Sequence, residues 1–275
     1  MRMEELSYGK EEDGVIQFLH ANAYTPGCYN QMFKGLSTYK IFAPKQRPLW
    51  PGSDDAKFAD WSVLADDIIA HMDHVGRKSV IGIGHSMGGV ASWLAAIKRP
   101  DLFSKLVLID PVILPFSYTM GIKLMPSGLK KKYVPMIKIA SKRRDTWEDR
   151  TRAKAYFLSK KVYQRFDEAA LEDFIDHGLK AYDGGLTLAY PRAWEAQVYG
   201  TAPYLWKKLG KSPCPITIIR AQYSDVIGDE SWNRIKSKLS NGHCVQADGV
   251  GHLVPFEKPK LCADIINNNL KALVV

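Results

Sequence analysis

One stretch constrains the fold of this chain more than any other: Ser79-Val80-Ile81-Gly82-Ile83-Gly84-His85-Ser86-Met87-Gly88-Gly89. Apolar, β-rich residues run up to Gly84-His85-Ser86-Met87-Gly88, and a helical pattern starts at once behind it. A serine on so sharp a strand-to-helix turn takes strained backbone angles. Gly84 and Gly88 leave the room that strand and helix need to approach closely. The start of the helix sets free backbone N–H groups and a positive dipole end beside the Ser86 hydroxyl, where an oxyanion would form. The stretch therefore predicts a parallel-sheet protein with a nucleophilic serine at the carboxyl edge of one strand.

The rest of the chain agrees. Short apolar runs alternate with helix-length segments, the pattern of a mostly parallel sheet covered on both faces. Strands are expected at Val15–His20, Tyr39–Pro44, Lys105–Asp110, Pro215–Ala221 and His243–Ala247, with a weaker edge strand over Leu6–Lys10. Apolar positions 61, 64, 65, 68, 69, 72 and 75 form one helical face from Trp61 to Val75. Helices are also expected from Met87 to about Lys98 and from Pro259 to Leu273. Between Val112 and Leu209 strand signal is weak and amphipathic helical stretches dominate. The reading is an α/β core in two parts, 1–111 and 210–275, with a helical cap over 112–209 inserted between two late strands. Such an insertion lies above the carboxyl ends of the strands, where open α/β sheets keep their sites.

The 275 residues, 46% of them hydrophobic, suffice for one packed α/β domain. No run approaches the roughly 18 apolar residues of a membrane span. The N-terminus, Met1-Arg2-Met3-Glu4-Glu5-Leu6, is too polar for a signal peptide, and the four cysteines (Cys28, Cys214, Cys244, Cys262) form no C-x-x-C pair. The expectation is a cytoplasmic protein with reduced thiols. The net charge of +9 is concentrated: Lys123–Arg165 holds fourteen Lys/Arg against three Asp/Glu. This block is either a solvated outer face or a contact for an anionic surface or substrate. Nothing matches a nucleic-acid-binding module, so no nucleic-acid partner is expected. Oligomeric state is not legible.

A serine nucleophile needs a base and a third group to orient it. His252 lies in Gly249-Val250-Gly251-His252-Leu253-Val254-Pro255-Phe256-Glu257, a glycine-flanked loop just after the last strand. Asp225, in Ala221-Gln222-Tyr223-Ser224-Asp225-Val226, follows the preceding strand and is the favoured acid; Asp110, at the end of an earlier strand, is the alternative. Oxyanion donors are expected at the Met87 N–H and in His20-Ala21-Asn22-Ala23-Tyr24-Thr25-Pro26-Gly27, at Asn22 in preference to Ala23. Ala23, Trp50, His85 and Phe116 are candidate pocket residues, and Phe116, Tyr118, Met120, Met125 and Met136 would supply apolar surface from the cap. His71 and His74 share a helix but lack a third ligand, so no metal is called for.

On Gly84–Gly89 and Gly251–Glu257 the chain resembles the α/β-hydrolase superfamily, in its lidded branch of esterases, epoxide hydrolases, haloalkane dehalogenases and C–C bond hydrolases. The resemblance covers nearly everything but the cap. Ser86 stands where dehalogenases and epoxide hydrolases carry an aspartate, which excludes their usual chemistry. Two stretches depart from the family. His20-Ala21 replaces the usual His-Gly, and Lys45-Gln46-Arg47-Pro48-Leu49-Trp50-Pro51-Gly52 replaces an Asp-x-Arg-Gly-x-Gly stretch, setting Trp50 at a pocket wall. The resemblance implies a cofactor-independent serine hydrolase of small-molecule carboxylic esters. Lactone, thioester, amide or C–C bond cleavage would use the same triad. A non-catalytic binding protein acting through its basic cap is the alternative from another class.

Overall fold

The computed structural model describes residues 2–210, 212–239 and 242–272. Seven strands form the central sheet: β1 (Glu5–Tyr8), β2 (Val15–Leu19), β3 (Lys40–Pro44), β4 (Val80–His85), β5 (Phe103–Ile109) and, later in the chain, β9 (Ile216–Tyr223) and β10 (Gly242–Gly251). Their spatial order is β1-β3-β2-β4-β5-β9-β10, and all pairs are parallel except β1 with β3. β4 and β5 are almost wholly apolar because both faces are covered.

The pleat divides the core in two. Ile16, Phe18, Ile83, Val107, Ile109 and Ile219 point to one face and pack with the helices Asn30–Lys34 and Pro259–Ala272. Leu19, Val80, Leu106, Leu108, Ile216 and Ile218 point to the other, against Ser62–His74 and Met87–Lys98. Neighbours such as Leu106 and Val107 thus serve opposite clusters, the period-2 alternation of a strand buried on both sides. The expected elements are present within a few residues. The edge strand is Glu5–Tyr8, and the expected end of the last helix, Leu273, lies outside the described residues. At the sheet edge His71 is buried between the Met3 N–H and Glu5, to which Arg77 also pairs. Among the described residues no helix is long and apolar enough to cross a membrane.

The insertion between β5 and β9 is not helical throughout. Besides six α-helices it carries a three-stranded antiparallel sheet of β6 (Thr146–Trp147), β7 (Leu179–Tyr182) and β8 (Gly185–Leu188), ordered β6-β8-β7. The signal was present as Asp183-Gly184 between Tyr182 and Gly185, a two-residue hairpin turn with Gly184 at φ +83°. Strands of two to four residues show too little alternation to stand out beside that turn.

Candidate active site

Ser86 follows β4 directly and sits at φ 55°, ψ −117°, a strained pair of angles that the flanking elements impose. Its N–H donates to Ile109 O (2.9 Å) on the adjacent strand. The helix behind it approaches so closely that a Cβ on Gly88 would lie 2.1 Å from Leu19 O. Met87 is the first residue of that helix, so its N–H has no acceptor within the helix.

His252 comes from the end of β10. Its Nε2 is 3.0 Å from Ser86 Oγ, and its Nδ1 is 2.7 Å from Asp110 Oδ2. Asp110 follows β5 at φ 41° and is wholly buried. Its carboxylate accepts hydrogen bonds from the Ala221 N–H (3.0 Å) and Ser224 Oγ–H (2.8 Å) as well as from His252. Three donors satisfy this acceptor-only group in the interior and fix its direction.

The favoured acid of the sequence reading is thereby corrected: the carboxylate at His252 Nδ1 belongs to Asp110, not Asp225. β5 lies directly between β4 and β9, so a residue at its tip sits next to Ser86 and beneath the β10 loop. The chain leaving β9 turns through Ser224, whose hydroxyl is spent on Asp110 and on the Val226 and Ile227 N–H groups. Asp225 is thus left exposed at the cavity wall. It reaches His252 only through its charge. Burial would push the His252 imidazolium down, but the hydrogen bond and charge of Asp110, helped by Asp225 and Glu257, hold it above the ordinary 6.5.

His85 is not a pocket residue either. It is fully buried, with Tyr29 OH 2.9 Å from Nδ1 and His252 O 2.9 Å from Nε2. Tyr29 OH also accepts the Ala21 N–H (3.0 Å). Nε2 must donate to the carbonyl, so Nδ1 accepts from the tyrosine, and one directed chain runs from the Ala21 loop to the His252 backbone. Burial drives the His85 pKa well below its usual value, which keeps the ring neutral in this role. Tyr29→Phe leaves the Ala21 N–H and His85 Nδ1 without their buried partner. The expected cost is about 1–3 kcal/mol, read as a lower urea midpoint at unchanged m-value.

The loop after β2 is braced again by His20. Its Nδ1 bonds Ala21 O (2.9 Å), and Gln46 donates to its ring Nε2 (3.3 Å) and to its carbonyl (2.7 Å). Gln46 thus ties the departing 45–52 stretch to the loop after β2. Asn22 and Ala23 line the cavity, Ala23 at φ +70°. Asn22 Nδ2 donates to Glu195 O (3.1 Å), while its buried Oδ1 has no partner among the described residues. Trp50 turns away from the cavity: Nε1 donates to Lys45 O (2.7 Å) and Arg47 covers the ring. Phe116 is 57% exposed, edge-on to Tyr204, and Met120 and Met125 are not cavity residues; Tyr118 and Met136 are. Cys28 is buried, which pushes its thiol up to about 11, and it belongs to the core.

Above Ser86 lies a cavity of about 1110 Å³. Its walls include residues the sequence pattern did not single out: Trp61, Val134, Ile139, Tyr163 and the ion pair of half-buried Arg143 with buried Glu195, 2.6 Å apart. An amphipathic helix does not reveal from its pattern alone which side meets a cavity. The site combines a serine at a helix start, an imidazole on its hydroxyl and a buried carboxylate on that imidazole.

Residues 18–265 match the model of the Alpha/beta hydrolase family, and the chain belongs to that family. Among its relatives is the AB hydrolase superfamily protein YfhM of Bacillus subtilis, 25% identical over 278 residues that span 96% of this chain and 92% of YfhM. Among solved structures, E-2-(acetamidomethylene)succinate hydrolase superposes with a TM-score of 0.81 at 21% identity, covering 98% of this chain and 95% of that one. A thermophilic esterase from Thermogutta terrifontis gives 0.69 at 17% identity, covering 99% and 94%. At such identities the two structures share the fold with this chain.

Proposed function

We propose that this chain hydrolyses carboxylic esters of small to medium acyl chain through a Ser86–His252–Asp110 triad and an acyl-enzyme. The observation that carries the reading is the unbroken line from Ser86 Oγ through His252 to a buried carboxylate, opening on a largely apolar cavity. The similarity to an esterase supports it. Ser86 Oγ attacks the ester carbonyl carbon while His252 Nε2 takes the hydroxyl proton. The tetrahedral oxyanion faces the Met87 N–H and an N–H of the Asn22–Ala23 turn, each donor contributing roughly 3–4 kcal/mol. Collapse expels the alkoxide, which takes the proton from His252. Water, deprotonated by the same ring, then attacks the acyl-enzyme and releases acid and Ser86. Asp110 holds the tautomer that lets Nε2 accept. Residues 112–209 act as the lid, and Ile139, Val134 and Tyr118 offer the acyl chain an apolar wall.

The test is hydrolysis of a p-nitrophenyl ester series by the intact chain, with a fluorophosphonate to label the serine. Turnover that saturates and stops on stoichiometric labelling of Ser86 is the expected result. Labelling without turnover of any ester would overturn the ester assignment; no labelling would overturn the serine mechanism.

Only the neutral imidazole can take the proton, so kcat/KM is expected to rise with pH through the His252 pKa, above 6.5. Asp225→Asn removes one carboxylate that favours the imidazolium. The acid limb of the profile then moves to lower pH while the plateau holds. A limb that stays in place would mean that Asp225 does not act on His252.

A further inference from the structure

The start of the lid carries a surface that reaches well beyond the few side chains lining the cavity. Residues 111–144 hold eight Lys/Arg and no Asp or Glu. Further along, Arg144, Arg150 and Lys154 pair with Glu148, Glu172 and Asp176. By contrast, Lys123, Lys131, Lys132, Lys138 and Lys142 have no carboxylate partner among the described residues. The same segment is apolar outside as well as inside. Of the twelve exposed large hydrophobic residues described, seven fall between 116 and 139, with Leu124 at 81%, Ile139 at 62% and Tyr133 at 60% exposure.

This exposure is not an unfinished core. The three helices Phe116–Leu124, Ser127–Tyr133 and Pro135–Lys142 already bury Ile122, Val134, Ile137 and Ala140 against Ala196 of Arg192–Tyr199. Met136 and Ile139, three residues apart on one side of their helix, stay outside that cluster. They line the cavity mouth with Tyr118, Lys142 and Val162. The apolar and basic surface is therefore continuous in the chain with one wall of the cavity that holds Ser86.

We propose that this face docks on an anionic lipid bilayer, with the mouth of the cavity turned toward the lipid. Protruding apolar side chains among unpaired lysines, without one acid, complement a negatively charged headgroup layer over hydrocarbon. A second copy of the chain is disfavoured, because a two-fold contact would set this cationic face against itself. A nucleic acid would leave Leu124 and Ile139 unsatisfied. Docking does not depend on the ester reading. If both hold, the substrate's acyl chain passes from the bilayer into the cavity without crossing water.

The test is co-sedimentation of the full chain with phosphatidylcholine vesicles and with equimolar phosphatidylcholine and phosphatidylglycerol. Binding is expected to the anionic vesicles only, and to weaken as salt rises. Lys131→Gln/Lys132→Gln/Lys138→Gln is expected to lower it on the order of 100-fold, and Leu124→Ser/Ile139→Ser to weaken it at unchanged melting temperature. Equal binding to both vesicles, no binding to either, or binding that ignores these substitutions would overturn the proposal. So would a dimer in solution that the same substitutions dissociate. Fluorophosphonate labelling of Ser86 in the same samples reports separately on the hydrolase reading.

Discussion

Asp110→Asn lowers kcat by about 10⁴, while Asp225→Asn stays within a few-fold of the unmodified chain on the pH plateau. The asymmetry follows from what each carboxylate touches. Both Asp110 oxygens are committed, Oδ1 to the Ala221 N–H and Oδ2 to Ser224 and His252. An asparagine at this site must turn its NH₂ to one of them. Facing Ala221, it opposes donor to donor in a dry interior. Facing His252, it forces Nδ1 to accept, which moves the ring proton to Nε2, where it meets Ser86 Oγ. The base is then already protonated on the side that should take the proton. Ser86→Ala sets the floor, on the order of 10⁶ below the unmodified kcat. Saturation kinetics with a p-nitrophenyl ester on the four proteins decide the matter. The reverse order, with Asp225→Asn severe and Asp110→Asn mild, would return the orienting role to Asp225.

Gly88→Ala is expected to destabilise the fold by about 3 kcal/mol or more, a fall in Tm of roughly 6–12 °C, and to remove most activity from the protein that remains folded. The added Cβ would lie 2.1 Å from Leu19 O, 2.5 Å from Leu19 C and 2.6 Å from His20 O. All three are backbone atoms of β2 and its exit, so no side chain can swing aside. The helix Met87–Lys98 must shift away from the sheet, carrying the Met87 N–H off the loop that faces it. Gly121→Ala is the control. It lies in the exposed helix Phe116–Leu124 with nothing within 4 Å of its Cβ, and it should hold or raise stability by up to about 1 kcal/mol. Equal melting curves for the two variants would mean that the close approach at Gly88 is not what makes glycine necessary there.

The core sheet was legible because its strands are buried on both faces and read as unbroken apolar runs between helical periods. Ser86 and His252 were legible because glycines around them mark turns that few other residues allow. The orienting acid was not, since Asp110 and Asp225 both end strands at one edge. Which of them meets His252 depends on strand order across the sheet, a property no local pattern carries. Trp50 and Phe116 were misplaced for a related reason: an aromatic residue near a site packs wherever its ring finds a partner, here Arg47 and Tyr204. The buried chain from Ala21 through Tyr29 and His85 to His252 joins residues up to 167 positions apart, and nothing in the sequence links them.

The long insertion between two neighbouring strands has a consequence for synthesis on the ribosome. One edge of β5 belongs to β4, made shortly before it, but the other belongs to β9, which begins at Ile216. At about 5–20 residues per second, some 5–20 s of translation separate the two. Through that interval the nascent chain presents an apolar strand edge with open hydrogen-bonding groups, the kind of template that invites wrong pairing. Ser86 and Asp110 are in hand during this time, and His252 is the last of the three to be made. On the proposed mechanism, a nascent chain stopped anywhere before residue 252 is therefore catalytically silent, while its β5 edge is already exposed to wrong partners.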